Sequence, residues 1–269
     1  MKKQLFFLLL LLITKVQAQE LFIFTEPASN MPARSIAIKQ SGKFFNASAT
    51  SGTRHATEFM VGANKNLMLH AAATYGSFNG VPFGLESLRA YGKYRFFSAD
   101  GMYSHFRMAA FAEVAHSNTK PMYQELNLQG DHSGVQAGLV FTQLLHKLAI
   151  STTISYLGIN GISKTHQLAM GNRPEAINYS LSFGHLIAPK KYTSYDQTNI
   201  NIYAELLGQT LTGTNKRYLD FAPGIQFIFK SKAKLNIAYR HNLQGNMTRM
   251  APSSWMIGGE WLFLNAFKK

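Results

Sequence analysis

The chain has 269 residues, a formal net charge of +14 and no cysteine, which excludes disulfide bonds, a thiolate nucleophile and a cysteine-ligated metal site. Its 27 Lys and Arg residues recur singly along the sequence, whereas proteins that bind nucleic acid concentrate them in one patch or helix. This spacing argues against nucleic acid as a partner and favours anionic lipid headgroups or an anionic solute.

The first 18 residues have the three parts of a secretory signal peptide. Lys2 and Lys3 make a basic start, residues 5–13 are apolar, and Val16-Gln17-Ala18 offers small residues before a cut. The apolar run is too short for a membrane anchor, which needs roughly 18 residues. We therefore expect residues 1–18 to be a signal peptide that is cleaved before Gln19 during export.

Residues 19–34 are expected to form an extended segment ahead of the strands. Pro27 and Pro32 keep this stretch out of a sheet interior, because proline cannot donate to the hydrogen-bond ladder. Residues 21–24 are more apolar than a free tail usually is. Two interpretations stay open, a small plug inside a barrel and a disordered periplasmic tail.

From residue 35 onward, apolar and polar residues alternate in short segments, which predicts β-strands. The hairpin at residues 85–114 shows the pattern most clearly, with charged residues opposite the apolar set Leu88, Ala90, Gly92, Tyr94 and Phe96. We predict twelve strands, with ten as an alternative, near residues 35–45, 55–64, 67–76, 86–97, 104–116, 134–145, 148–157, 176–187, 198–207, 218–229, 234–241 and 254–264.

The predicted connections alternate in length along the chain. The turn at residues 146–147 is short, whereas the connections at 46–54, 117–133 and 158–175 are long, and only 188–197 is long for its class. Short turns on one rim and long loops on the other are typical of outer-membrane barrels. We therefore predict that residues 35–269 form an all-β, membrane-spanning, antiparallel up-and-down barrel, with apolar faces toward lipid and polar faces toward a lumen.

Strand parity assigns a set of charged side chains to the lumen: Lys39, Glu58, Arg89, Lys93, Arg95, Arg107, Glu113, Glu205, Asp220, Arg240 and Glu260. Arg89, Lys93, Arg95 and Arg107 would form a basic stripe on adjacent strands, which favours anions in a narrow channel. The alternative is a structural network in which the charged side chains pair across a lumen too small to conduct.

An enzymatic function has little support in the sequence. Gly130-Asp131-His132-Ser133-Gly134 invites comparison with the His-x-Ser signature of outer-membrane phospholipase, but His132 and Ser133 are adjacent and would point to opposite faces of a strand. The histidines show no pair at metal-ligand spacing, and no glycine-rich phosphate loop follows a strand. We expect no enzymatic activity, no cofactor and no metal, with a lipid-modifying enzyme as a remote alternative.

Two stretches resemble segments of known proteins, namely Glu26-Pro27-Ala28-Ser29-Asn30-Met31-Pro32-Ala33 and Ser104-His105-Phe106-Arg107-Met108-Ala109-Ala110-Phe111. Both look like segments of uncharacterised transporters related to barrels that are associated with phenol-degradation pathways. The first stretch is also similar to the Asn-Pro-Ala element in the hatch of long-chain fatty-acid channels. Met31 interrupts that element and the chain is much shorter, so the resemblance does not imply lipid uptake.

Taken together, the signal peptide, strands and loop pattern make the mature chain resemble the outer-membrane transporter and porin group of Gram-negative bacteria. The aromatic-rich last strand resembles the signal read by the barrel-assembly machinery, although the chain runs on to Phe267-Lys268-Lys269. The resemblance implies a location in the outer membrane, with lipid and that machinery as partners. We expect a passive channel or transporter for small anionic or hydrophobic solutes, or alternatively a structural or surface-binding barrel with a blocked lumen.

Overall fold

The computed structural model describes residues 22–47, 50–77, 82–119, 123–160, 175–190, 194 and 196–267. The predicted signal peptide, residues 1–18, lies outside these ranges. The described residues form twelve strands: β1 (Ser35–Ala47), β2 (Thr50–Gly62), β3 (Leu67–Ser77), β4 (Gly84–Asp100), β5 (Ser104–Ser117), β6 (Ser133–Leu145), β7 (Leu148–Asn160), β8 (Glu175–Ala188), β9 (Asn199–Leu211), β10 (Arg217–Phe229), β11 (Ala233–Gly245) and β12 (Ser253–Phe263). No helix in this part of the chain is long and apolar enough to cross a membrane.

The strands form one closed barrel in which each strand pairs antiparallel with its sequence neighbours. β1 also pairs with β12, in a ladder that runs from Ile36 opposite Phe263 to Phe44 opposite Trp255. Because closure leaves no strand edge, the strands satisfy one another's backbone N–H and C=O groups. The predicted antiparallel up-and-down barrel of twelve strands is confirmed, and the ten-strand alternative is wrong.

The connections differ in length between the two ends of the barrel. At one end, which we call the short-turn rim, the strands are joined by residues 63–66, 101–103, 146–147, 189–198 and 230–232. At the other end, the long-loop rim, the connections include residues 118–132 and 161–174, and the latter lie outside the described residues. Most short connections therefore lie at one rim and most long ones at the other. Residues 189–198, at the short-turn rim, are the long exception that the sequence predicts.

The first connection departs from the prediction. Residues 46–54 are predicted to form a long loop, yet β1 and β2 stay paired up to Ala47 opposite Thr50. This stretch is rich in Ser, Thr, Ala and Gly, so it shows no apolar alternation, but backbone pairing does not require any. The predicted long loop is wrong, and Arg54 lies within β2.

Side chains alternate between the two faces of the barrel wall. In β3, every second residue from Met68 to Gly76 is buried, and the residues between them face outward. The outward set on the other strands is apolar and exposed, and it includes Leu88, Val135, Leu139, Ile154, Ile177, Phe183, Ile202, Trp255 and Ile257. A soluble protein rarely exposes contiguous apolar surface on this scale, so the exterior is that of a membrane-spanning barrel.

Aromatic side chains gather on the outside of the barrel near the β4–β5 turn. The ladder between β4 and β5 shifts register between Arg95 and Phe97, which is a β-bulge. The bulge keeps Phe96 and Phe97 both on the outer surface, where they are 48% and 45% exposed. Tyr103, in the turn itself, extends this group at the short-turn rim, as expected of an interfacial girdle.

Replacing Ile154 by Arg should destabilise the barrel by about 2–4 kcal/mol, because Ile154 lies midway along β7 on the lipid-facing side. The matched substitution Leu145→Arg, at the short-turn rim, should cost about 0–1 kcal/mol, because a charge there reaches the headgroups. The free energy of unfolding of each variant can be measured by denaturant titration in phospholipid vesicles. Equal costs at the two positions would contradict the lipid-facing assignment.

Candidate functional site

The centre of the barrel holds a cavity of about 300 Å³. Its wall is formed by inward-facing side chains of the strands. Residues 23–26 close part of it on the side of the short-turn rim, and residues 125–129 close part of it on the side of the long-loop rim. We call residues 22–34 the N-terminal segment and residues 118–132 the β5–β6 loop.

The N-terminal segment is anchored to one side of the barrel by a single carboxylate. Glu205 Oε1 accepts hydrogen bonds from the backbone N–H groups of Ile23 and Phe24, both at 3.0 Å. Glu205 Oε2 accepts from the N–H of Thr25 at 3.1 Å and from its hydroxyl at 2.6 Å. Hydrogen bonds to an ionised group are the stronger ones, so this carboxylate fixes three successive backbone amides inside the barrel.

The same segment is also held by β4, β5 and β6, which lie three to five strands from β9 around the barrel. Lys93 Nζ on β4 donates to the Glu26 carboxylate and to the Pro27 carbonyl, both at 2.8 Å. Arg107 on β5 donates to the Ser29 hydroxyl at 2.8 Å, and the N–H of Ala28 donates to a β6 hydroxyl at 2.8 Å. With Glu205 on β9, these contacts show that the segment crosses the lumen.

The β5–β6 loop folds into the barrel from the long-loop rim. Gln209 on β9 accepts a hydrogen bond from the N–H of Leu126 at 2.9 Å and donates one to the Leu126 carbonyl at 2.8 Å. Leu126 and Leu128 are buried in an apolar cluster with strand residues that include Leu157 and Leu211. This packing removes two leucines of a long surface loop from water and draws the loop across the mouth.

An ion-pair network ties the β5–β6 loop to the loop before β12. Arg249 contacts both oxygens of Asp220 at 2.6 Å and lies 3.3 Å from Glu125. Arg240 pairs with Asp220 and lies 3.6 Å from Glu125. Burial raises the pKa of Glu125, but the positive charges of Arg240 and Arg249 outweigh burial and place its pKa below the usual value. Glu125 is therefore ionised at neutral pH and holds its loop in place.

Arg54 on β2 fastens the other end of the β5–β6 loop. Its Nε lies 2.5 Å from Glu86 and its Nη2 lies 2.6 Å from Asp131, and both carboxylates are buried. Gly130 has a φ of +116°, and a Cβ at this position would lie 2.7 Å from the Arg54 guanidinium carbon. Glycine is needed here both for its backbone conformation and for the close approach of the loop to the guanidinium.

The predicted lumen residues fall into separate groups. Five of them line the cavity: Lys39, Glu58, Arg89, Glu113 and Arg240. Two others, Lys93 and Glu205, hold the N-terminal segment. Arg95 donates to the carbonyl of Lys65 in a short turn. The remaining predicted residues pair with neighbours, Asp220 with Arg240, Glu260 with Lys234 and Arg107 with Asp100.

Two residues of the predicted basic stripe, Arg89 and Lys93, lie against acidic partners inside the barrel. Arg89 lies 2.9 Å from Glu113 and 3.2 Å from Glu58, and Lys93 lies 2.8 Å from Glu26. A cation held this close to a carboxylate presents little net positive charge to a passing solute. At Arg89 and Lys93 the positive charge of the stripe is therefore largely balanced by neighbouring carboxylates.

Sequence reasoning missed several charged residues that face the lumen, for different reasons. Lys43 lies on the same inward face of β1 as Lys39, so strand parity is the signal that would have identified it. Arg54 lies in β2, within the stretch for which the sequence predicts a long loop. Glu86 lies at a register shift between β3 and β4 that alternation does not reveal, and Glu125 lies in a loop without periodicity.

His132 and Ser133 do not form a nucleophile and base arrangement. The Ser133 hydroxyl accepts from the N–H of Ser117 at 2.9 Å and lies 3.3 Å from its carbonyl, whereas His132 Nδ1 lies 3.2 Å from the Asn127 carbonyl. Among the described residues, no group of three or more His, Asp or Glu side chains is arranged to hold a metal ion.

Comparisons with solved structures place the fold among outer-membrane barrels. The COG4313 outer membrane channel from Pseudomonas putida F1 matches with a TM-score of 0.57 and 11% identity, over 90% of this chain and 100% of that chain. The KdgM porin in complex with disordered oligogalacturonate matches with a TM-score of 0.52 and 8% identity, over 85% and 99%. At these identities the likeness shows the fold alone. A scan against protein-family models and a search of curated proteins found no match.

Replacing Glu205 by Ala should release the N-terminal segment, because it removes the acceptor of three successive backbone amides. Hydrogen exchange of residues 23–25, followed by mass spectrometry on the refolded barrel, should then be at least about tenfold faster, since one bond to a charged group contributes about 1.5–3 kcal/mol. The control Glu175→Ala changes a carboxylate at the long-loop rim and should leave this exchange unchanged. Unchanged exchange in the Glu205 variant would show that the carboxylate is not the anchor.

Proposed function

We propose that this chain is an outer-membrane channel for small solutes, held closed in this conformation by the N-terminal segment and the β5–β6 loop. The observation that carries the proposal is the central cavity, which lies between these two segments and is lined by charged, hydroxyl and amide side chains. Protein interiors with a purely structural role are close-packed. An open polar space on the barrel axis instead suits a solute that enters and leaves.

The contacts that close the lumen toward the short-turn rim are mostly polar. Glu205, Lys93 and Arg107 hold the N-terminal segment through hydrogen bonds and an ion pair, which water can replace when the segment moves. The net stabilisation from each such bond is about 0.5–3 kcal/mol. Phe22 and Ile23 add an apolar anchor against Tyr203. Displacing a short segment held in this way requires no change in the barrel wall.

We propose export through the signal peptide at residues 1–18 and insertion into the outer membrane of a Gram-negative cell by the barrel-assembly machinery, with the short-turn rim in the periplasm. The solutes are small and anionic or hydrophobic, in keeping with the resemblance to barrels associated with phenol degradation. Apolar Phe111, Val140 and Leu207 line the cavity beside its charged residues, which supports a solute of mixed character.

The main alternative is a structural or surface-binding barrel whose lumen never opens. The ion pairs of Arg89 with Glu58 and Glu113 favour this alternative, because they join β4 to its neighbour β5 and, across β3, to β2, and so rigidify the wall. A lipid-modifying enzyme is the remote alternative. It is disfavoured because the Ser133 hydroxyl is engaged by the backbone of Ser117.

Single-channel recording in planar bilayers distinguishes the channel proposal from the blocked-barrel alternative. The intact protein should give brief or small conductance events, and a variant lacking residues 22–30 should conduct several-fold more, because one of the two closures is gone. Glu205→Ala should fall between the two, while Glu175→Ala should match the intact protein. If folded protein conducts neither with nor without residues 22–30, the blocked barrel is correct and the channel proposal fails.

A further inference from the structure

Lys43 is a charged side chain without a direct partner in the part of the chain that the structure describes. It lies on the inward face of β1 and lines the central cavity. Among the described residues it makes neither a hydrogen bond nor an ion pair, in contrast to Arg54, Arg89 and Arg240 on the same cavity wall. A partly buried ammonium group without a partner is costly, so its retention at a cavity wall points to a ligand.

The surroundings of Lys43 increase that cost. Lys43 stands directly opposite Arg54 in the β1–β2 ladder, and like charges in such pairs repel. The positive charge of Arg240 also acts on it. Two acids attract it, Glu125 and Asp131, but both are already in ion pairs with arginines. Lys43 therefore has no direct carboxylate contact among the described residues, and an anion in the cavity would take that place.

The far wall of the cavity offers hydroxyl groups. Thr153 on β7 and Ser180 on β8 face each other across the β7–β8 ladder, and both line the cavity. The Ser180 hydroxyl is buried without a hydrogen-bond partner, and among the described residues the Thr153 hydroxyl has none either. Apolar Phe111, Val140 and Leu207 line the same space. In a barrel of twelve strands, β7 lies across the lumen from β1, so the two walls can hold the two ends of one molecule.

We infer that the cavity binds a small hydroxylated monocarboxylate, with its carboxylate at Lys43 and its hydroxyl groups at Thr153 and Ser180. One unpaired ammonium group matches one negative charge, which favours a carboxylate over a phosphate dianion. A cavity of about 300 Å³ lies at the small end of the range for ligand sites and excludes oligomers. The inference rests on the channel function proposed above and names the class of solute that its lumen selects.

Binding can be tested by isothermal titration calorimetry on the refolded, full-length barrel in detergent, with gluconate as the probe and sorbitol as its uncharged match. Gluconate should bind and sorbitol should not. Lys43→Met keeps the length of the side chain and removes its charge, and it should weaken gluconate binding at least about tenfold. The control Lys232→Met, in the exposed β10–β11 turn, should leave the affinity unchanged.

A second variant tests the far wall. Thr153→Val should weaken gluconate binding several-fold and leave the affinity for hexanoate, which has no hydroxyl groups, unchanged. Equal gluconate affinity in the Lys43→Met and Lys232→Met variants, or no gluconate binding to the folded protein, would overturn the inference. Conductance without gluconate binding would leave the channel standing and reject this site. Gluconate binding without conductance would support the site and reject the channel.

Discussion

The structure depends on one constraint, which is that hydrocarbon offers no hydrogen-bond partners to a polypeptide backbone. Twelve strands meet that constraint by pairing in a closed ring, and the ladder between β1 and β12 completes it. In a closed barrel, one face of every strand points outward and the other points into the lumen. Because successive residues point to opposite faces, Leu139 and Ile154 reach the outer surface while Val140 and Ser155 are enclosed.

The enclosed face then has to satisfy its own polar groups. It does so with ion pairs within the wall, such as Arg89 with Glu113, and with two segments that are not part of the wall. The N-terminal segment brings Glu26 to Lys93, and the β5–β6 loop brings Asp131 to Arg54. Removing one partner of such a buried pair is costly, about 3–5 kcal/mol, so these contacts fix the closed arrangement as well as the charge balance. The cavity is the space that they leave, with Lys43 on its wall.

The sequence predicts the strands of the barrel wall and their two faces well, but it predicts the contacts inside the lumen poorly. Period-two alternation reports directly on the face of each strand, so the outward position of Trp255 and the inward position of Glu205 follow from it. Ladder hydrogen bonds do not require apolar alternation, so the small polar residues at the end of β1 predict a loop where the structure has paired strands. A register shift places Glu86, and long-range folding of a loop places Glu125, and neither depends on local pattern.

The orientation of the apolar face can be measured through the tryptophans, because both, Trp255 and Trp261, lie on the outer face of β12. Fluorescence of the barrel should be recorded in vesicles whose lipids carry bromine on the acyl chains, and separately with acrylamide in the water. The account predicts strong quenching by the brominated lipids and weak quenching by acrylamide. Strong quenching by acrylamide with no effect of the lipids would contradict it, since the tryptophans would then face water.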